Sequence, residues 1–319
     1  MKTILVCGAG GFIGTHLVES LKAQGHYVIG ADVKYPEFST SAADEFFICD
    51  LSYKASIPQL FTRKIDEIYQ LAADMGGAGY IFTGDHDASI MSNSVMININ
   101  ILQAMVANRV KKVFYSSSAC IYPLYKQDKV DSTALTESDA YPASPDSEYG
   151  WEKLFSERLY FSYSRNFGID VKIARLHNIY GPLAAWNNGK EKVIAAICRK
   201  IICSVDNTIE VWGDGKQTRS FLYIDECIKG IHKLMDSQIT VPLNIGSDKT
   251  VSIDELTRMI ASIDNKTITL KHVNGPVGVL TRNCDNTLIK KLLGWIPNND
   301  LLSGINTTYR WIQAQINNT

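Results

Sequence analysis

Ser118, Tyr149 and Lys153 are residues whose types and spacing invite chemistry. In Tyr149-Gly150-Trp151-Glu152-Lys153 the phenol and the ammonium are four residues apart, so a helix would project both from one face. A free phenol titrates at about 10, and a fixed positive charge beside it favours the phenolate. Lys153 is therefore expected to bring Tyr149 into the range of base work at neutral pH. The spacing alone arises on many helices, so its weight rests on what precedes it. Upstream, Val113-Phe114-Tyr115-Ser116 reads as a strand that leads into Ser117-Ser118-Ala119-Cys120-Ile121-Tyr122-Pro123, which places the Ser118 hydroxyl and Cys120 near a strand end.

The elements that must position these groups begin at the N-terminus. Ile4-Leu5-Val6-Cys7 is a short apolar run, Gly8-Ala9-Gly10-Gly11-Phe12-Ile13-Gly14 follows, and Leu17, Val18 and Leu21 then recur at helical spacing up to Gly25. That is strand, glycine turn, helix. The turn must be tight and its backbone must come close to a pyrophosphate, whose charge the helix N-terminus favours; Gly8, Gly11 and Gly14 allow this, with Phe12 and Ile13 opening the helix. The next apolar run, Tyr27 to Ala31, ends in Asp32, at about the place of a carboxylate that takes the adenosine ribose hydroxyls. Asp32 argues for NAD, since a 2′-phosphate there would meet a negative charge, while Lys34 reads as a solvated surface lysine.

Phe46-Phe47-Ile48-Cys49 reads as a third strand. Asp50 and Leu51 follow it where an adenine would lie, with a helix N-cap an equal expectation for Asp50. Ile65 to Leu71 reads as a fourth strand, and Ala72-Ala73 beyond it would let a cofactor approach the backbone. Strands alternating with helical segments give an α/β fold, a doubly wound parallel sheet whose ligands gather at the carboxyl ends of the strands. After Val171 to Arg175, another strand, the pattern loosens into a helix near Val193–Ile202, a strand at Ile209–Trp212 and a mostly helical end. The division expected is a Rossmann domain over 1–180 with segments near 217–250 returning to it, and a smaller α+β substrate-binding domain over 181–319.

The 32 basic and 33 acidic residues of the 319 nearly cancel, which offers nothing to nucleic acid or an anionic membrane. The N-terminal apolar run stops at glycines without a cleavage site, and no apolar run comes close to the roughly 20 residues of a span, so a cytoplasmic protein is expected. Seven scattered cysteines with no C-x-x-C pair support neither a disulfide framework nor a zinc site, and the histidines lack metal-ligand spacing; no metal is expected.

With the glycine turn, Asp32, Ser118 and Tyr149-x-x-x-Lys153 in hand, the chain resembles the extended short-chain dehydrogenase/reductases that act on nucleotide sugars. Leu71-Ala72-Ala73-Asp74-Met75-Gly76-Gly77, Ser117 to Pro123, Gly189-Lys190-Glu191-Lys192, Trp212-Gly213-Asp214-Gly215-x-Gln217-Thr218-Arg219-Ser220-Phe221 and Arg282-Asn283-x-Asp285-Asn286 narrow it to the GDP-mannose 3,5-epimerases. The resemblance implies a GDP-sugar substrate, bound NAD, a homodimer through the helices near Ile99 and Lys153, and inversion at two carbons flanking a transient C4 ketone. It makes Cys120 and Lys192 the pair that removes and returns protons. Gly76, Ser118, Ala119, Cys120, Asn178, Glu191, Lys192, Lys200, Gln217, Arg219 and Arg282 become substrate contacts, with the arginine forks suited to a diphosphate.

The chemistry has its own logic. A C–H beside an alcohol is too weak an acid for any side chain, whereas beside a ketone its loss leaves an enolate that can be stabilised. Inversion then needs one group to take a proton and another to return it on the opposite face. Several rivals stand alongside. An epimerase-reductase of the GDP-fucose synthase type shares Ser-x-Cys-Ile-Tyr-Pro, but there a histidine usually stands where Lys192 does and NADPH is consumed; Lys192 and Asp32 count against it. A C4-epimerase needs no second proton shuttle, a 4,6-dehydratase would carry acids where Ala119-Cys120 stand, and a dinucleotide-sensing regulator should have lost the tyrosine or the lysine. The run Tyr80 to Asp87 is longer and more acidic than expected of the plant-type enzymes and borders the sugar pocket, which leaves another GDP-hexose or a heptose open.

Overall fold

The computed structural model describes residues 1–129, 132–298 and 300–318. The first half alternates strand and helix: β1 (Thr3–Cys7), α1 (Phe12–Ala23), β2 (Tyr27–Asp32), β3 (Glu45–Ile48), β4 (Glu67–Gln70), a single turn α2 (Ala78–Ile81), α3 (Asp87–Asn108), β5 (Lys112–Ser118), α4 (Glu148–Phe167) and β6 (Asp170–Leu176). The second half is more broken: β7 (Ile179–Tyr180), α5 (Val193–Cys203), β8 (Thr208–Trp212), β9 (Thr218–Ser220), β10 (Leu222–Tyr223), α6 (Ile224–Met235), β11 (Leu243–Ile245), β12 (Thr250–Ser252), α7 (Ile253–Ser262), β13 (Thr269–Val273), β14 (Thr281–Arg282), α8 (Thr287–Leu293) and α9 (Leu301–Asn317).

Seven strands form one parallel sheet in the order β11-β6-β5-β4-β1-β2-β3. The order reverses between β1 and β4, and a crevice opens there at the carboxyl ends of the strands. Alternation along each strand fills both faces. Ile4 and Val6 of β1 and Phe114 of β5 pack with Leu17, Val18 and Leu21 of α1 and Ile228 and Ile231 of α6. Leu5 and Cys7, with Val113 and Tyr115, pack instead with Ile101, Leu102 and Met105 of α3 and Tyr160 of α4. A third core, from α5, α7, α9 and β8, holds Ile197, Ile201, Leu256, Ile260, Ile305 and Tyr309, and Phe38 from the loop after β2 packs on it edge-on to Trp311 at 5.2 Å.

Two expectations change. β3 ends at Ile48, so Cys49 lies past it, and Asp50 caps no helix: its Oδ1 accepts from the Ser52 amide at 2.8 Å in a local turn. Also, α3 is long and apolar enough by composition to cross a membrane. Half of its most apolar stretch is buried inside the fold, and its buried Asn98 and Asn100 bond to side chains of α4 and to carbonyls of the loop after β3, which is the behaviour of a core helix.

Candidate active site

β5 delivers Ser118 in extended backbone, and its Oγ accepts from the Cys120 amide at 3.1 Å to start the short turn Ala119–Ile121. α4 begins alongside, capped by the Ser147 hydroxyl, which accepts from the Gly150 amide at 3.3 Å. Gly150 is what lets these two segments touch, since a Cβ there would stand 2.2 Å from the Cys120 carbonyl oxygen. Tyr149 is thereby carried up to Ser118 and Cys120.

Lys153, buried one turn further on, donates to the Ser116 carbonyl at 3.0 Å and lies 5.7 Å from the centre of the Tyr149 ring. The expected direction for the phenol is not the one found. Burial pushes Tyr149 well above the ordinary tyrosine value, with Cys120 and Glu152 adding to the rise and Ser118 and Arg282 pulling it back. Burial also pulls the Lys153 ammonium down, against Glu152, Cys120 and Glu157. Desolvation outweighs the charge of the neighbouring lysine here because both groups are enclosed.

A cavity of about 1030 Å³ runs from the glycine turn to β14, and every residue singled out from the sequence for cofactor or substrate lines it. Its first half is a cradle that side chains would fill: a Cβ on Gly14 would stand 2.0 Å from the Gly8 carbonyl oxygen, and Gly8 has φ +84°. Asp32 Oδ2 accepts from the Gly10 amide at 2.9 Å, which aims the carboxylate along the cradle. The side chain of Gln70 clasps Ala72, donating to its carbonyl at 2.9 Å and accepting from its amide at 3.1 Å, so the Ala72-Ala73 backbone is held open to a ligand. Lys34 pairs with Glu37 on the surface. These features fit a dinucleotide with a free ribose diol.

The second half is lined by side chains. Lys192 is half-buried at the start of α5, and burial pushes its amine below the ordinary lysine value, with Cys120 pulling it back. Glu191 is held by Arg199, which also donates to the Trp186 carbonyl. Gln217 and Lys200 donate to the carbonyls of Trp212 and Glu210, and Asn178, at φ 42°, donates to Ser220. The Asp74–His86 loop is stitched over this half. Tyr80 donates to Asp74 at 2.8 Å, stacks on His86 and takes the Lys190 ammonium on its ring at 4.0 Å, while the Gly77 amide donates to the Lys190 carbonyl.

The two arginines differ. Arg219 donates to the carbonyls of Thr218, Val277 and Val279 and, among the described residues, forms no ion pair; burial and the Arg282 cation push its guanidinium down to about 9. Arg282 has its fork in use, on Asp146 Oδ2 at 2.8 Å, Gln127 Oε1 at 2.7 Å and Cys120 Sγ at 3.1 Å. Both guanidiniums, expected to meet a diphosphate, therefore already have protein partners, Arg219 main-chain carbonyls and Arg282 the buried side chains of Asp146 and Gln127. Gln127 and Asp146 belong to none of the motifs read from the sequence.

Residues 4–246 match the NAD dependent epimerase/dehydratase family. A GDP-mannose 3,5-epimerase of Arabidopsis thaliana is 47% identical over 315 residues, covering 98% of this chain and 82% of that protein. GDP-mannose 3,5-epimerase 1 of Oryza sativa subsp. indica matches at the same identity and coverage. Among solved structures, UDP-glucuronic acid 4-epimerase from Bacillus cereus in complex with UDP-glucuronic acid and NAD aligns with a TM-score of 0.81 at 26% identity, covering 98% of this chain and 99% of that one. With the family match spanning most of the sequence and the glycine cradle, Asp32 and the Ser118–Tyr149–Lys153 cluster all on one cavity, this chain belongs to the NAD dependent epimerase/dehydratase family.

Proposed function

We propose that this protein is a GDP-mannose 3,5-epimerase that uses NAD catalytically and without net consumption. What carries the reading is that a thiol, Cys120, and an amine, Lys192, open on the same cavity as the Tyr149 phenol. The relatives 47% identical over nearly the whole chain support the substrate.

Tyr149 takes the proton of the sugar C4 hydroxyl, which Ser118 holds in place. NAD, which the Gly8–Gly14 turn, Asp32 and Lys153 would hold, would supply the two-electron acceptor for that oxidation and the donor for the reduction that restores the C4 alcohol. Lys153 holds the cofactor ribose and, with its buried positive charge, offsets the cost of a phenolate in a dry site. While C4 is a carbonyl, the hydrogens on C3 and C5 are acidic enough to leave. Cys120 takes or returns one proton, and Lys192 serves the other face. The lowered basicity of Lys192 suits both roles, because burial makes its amine easier to deprotonate and its ammonium a readier donor. Arg219, a half-buried cation whose hydrogen bonds go to main-chain carbonyls and which forms no ion pair among the described residues, is suited to the diphosphate, which would bring it an anion.

Met96 on α3 and Trp151, Phe155 and Phe167 on α4 are exposed apolar side chains on two helices that pack together, which supports a homodimer through this pair. The test of the activity is incubation of the purified protein with GDP-mannose in deuterated water without added cofactor. Deuterium at C3 and C5 with no net NADH is the expected result. Deuterium at neither carbon, or turnover only with NADPH, contradicts it and favours an epimerase-reductase.

A further inference from the structure

Lys192 stands immediately before α5, in extended backbone at φ −84° and ψ 163°, so the seat of its amine depends on what holds the chain that leads into the helix. Arg199 of α5 grips that chain once, donating to the Glu191 carboxylate at 2.7 Å and to the Trp186 carbonyl at 2.9 Å. A second grip comes from the Asp74–His86 loop. The Gly77 amide donates to the Lys190 carbonyl at 3.1 Å, and the approach is so close that a Cβ on Gly77 would stand 2.4 Å from the Glu191 carbonyl oxygen.

Tyr80 is the joint between that loop and the segment. Its ring takes the Lys190 ammonium 4.0 Å from its centre and stacks on His86 at 4.0 Å. Its hydroxyl donates to Asp74 Oδ1 at 2.8 Å. Asp74 in turn is rooted in α3: its Oδ2 accepts from the Asn93 side chain at 3.1 Å, and its amide donates to the hydroxyl of the fully buried Ser94 at 3.1 Å. Gly76 gives the ring its room, since a Cβ there would stand 2.6 Å from the Tyr80 Cβ. The links therefore run from a core helix through Asp74, Tyr80 and Lys190 to the chain just before Lys192. A base on a flexible four-carbon stem gains from this, because a misplacement of about 1 Å is enough to cost about 10²-fold in rate.

We propose that Tyr80 is a positioning residue for Lys192, holding the 186–192 segment to the sugar-side loop through Lys190, so that the amine is aimed from α3 as well as from α5. This rests on the reading of Lys192 as a proton-transfer group. One arm of the test uses no sugar, so the two fail separately.

In the NAD-loaded full chain without sugar, amide hydrogen exchange read by mass spectrometry should show residues 186–192 taking up deuterium about tenfold faster in Tyr80→Leu, with α4 around Lys153 unchanged. With GDP-mannose in deuterated water, Tyr80→Leu should still oxidise C4, seen as reduced-cofactor absorbance within about twofold of wild type, while deuterium in the inverted products falls about tenfold. A residue that only supported the fold would lower both together. Tyr80→Phe keeps the ring and loses the Asp74 bond, so it should cost roughly threefold; Lys190→Arg, whose guanidinium also stacks on a ring, should stay near wild type where Lys190→Gln does not. Unchanged amide exchange in Tyr80→Leu, or oxidation and inversion falling by the same factor, would overturn the proposal. Should Tyr80→Leu not fold, Lys190→Gln, at an exposed position, carries the same two measurements with the same deciding outcomes. Absence of inversion in the wild type would contradict the reading of Lys192, whereas the amide measurement still decides whether Tyr80 holds the segment.

Discussion

On the cofactor side of the cavity, β1, the glycine turn and α1 present main chain to the ligand, with one carboxylate, Asp32, anchored to the Gly10 amide. On the sugar side, Cys120, Lys192, Arg219 and Arg282 come from four separate segments, with Arg219 on main-chain carbonyls and Arg282 on Asp146, Gln127 and the Cys120 sulfur. The first side works by absence of atoms, the second by placement of charge. A backbone cradle tolerates no added carbon, whereas a set of side chains drawn from separate segments can lose one member and keep the fold of the rest. Damage to the two sides should therefore look different.

Gly14→Val breaks the comparison most severely. The new side chain has no room beside the Gly8 carbonyl, so NAD should be missing from the purified protein and every partial reaction should vanish, as cofactor content by absorbance and turnover will show. Retained NAD would mean that the cradle can shift. Tyr149→Phe keeps the cofactor and removes one proton acceptor. Turnover should fall by about 10³-fold, within the usual range for general base removal, with NAD content unchanged.

The pH dependence sharpens the sugar side. A base must be unprotonated, so exchange that depends on Lys192 rises as pH climbs through its pKa. Burial lowers that pKa, so the rise should come below the ordinary lysine value of about 10.4. Lys192→Arg, which stays protonated, should remove that limb and lower exchange by about 10²-fold, again without loss of NAD. A pH profile that is the same in both proteins would free Lys192 of its role.

The cofactor side was legible in the sequence because its signals are local: glycines at short spacing after an apolar run, then an acid at the end of the next strand. Asp50 misled on one of its two readings because an Asx turn and a helix N-cap use the same side-chain oxygen. The members of the sugar side were legible only through a matched pattern, and their partnerships were not legible at all. Arg282 meets Cys120 across 162 positions, and Gln127 and Asp146 carry no motif that would announce them. The direction of the Tyr149 shift was hidden for a related reason. A lysine one helical turn away is visible in a sequence, while the burial that outweighs it exists only once α4 has packed against β5.

The separation of oxidation from proton exchange is the central claim, and Cys120→Ala tests it most directly. With GDP-mannose in deuterated water, this variant should still oxidise C4, seen as transient absorbance of reduced cofactor at the wild-type rate within about threefold, and should place no deuterium at one of the two flanking carbons or at both. Wild-type deuterium incorporation at both C3 and C5 in the absence of the thiol would contradict the account.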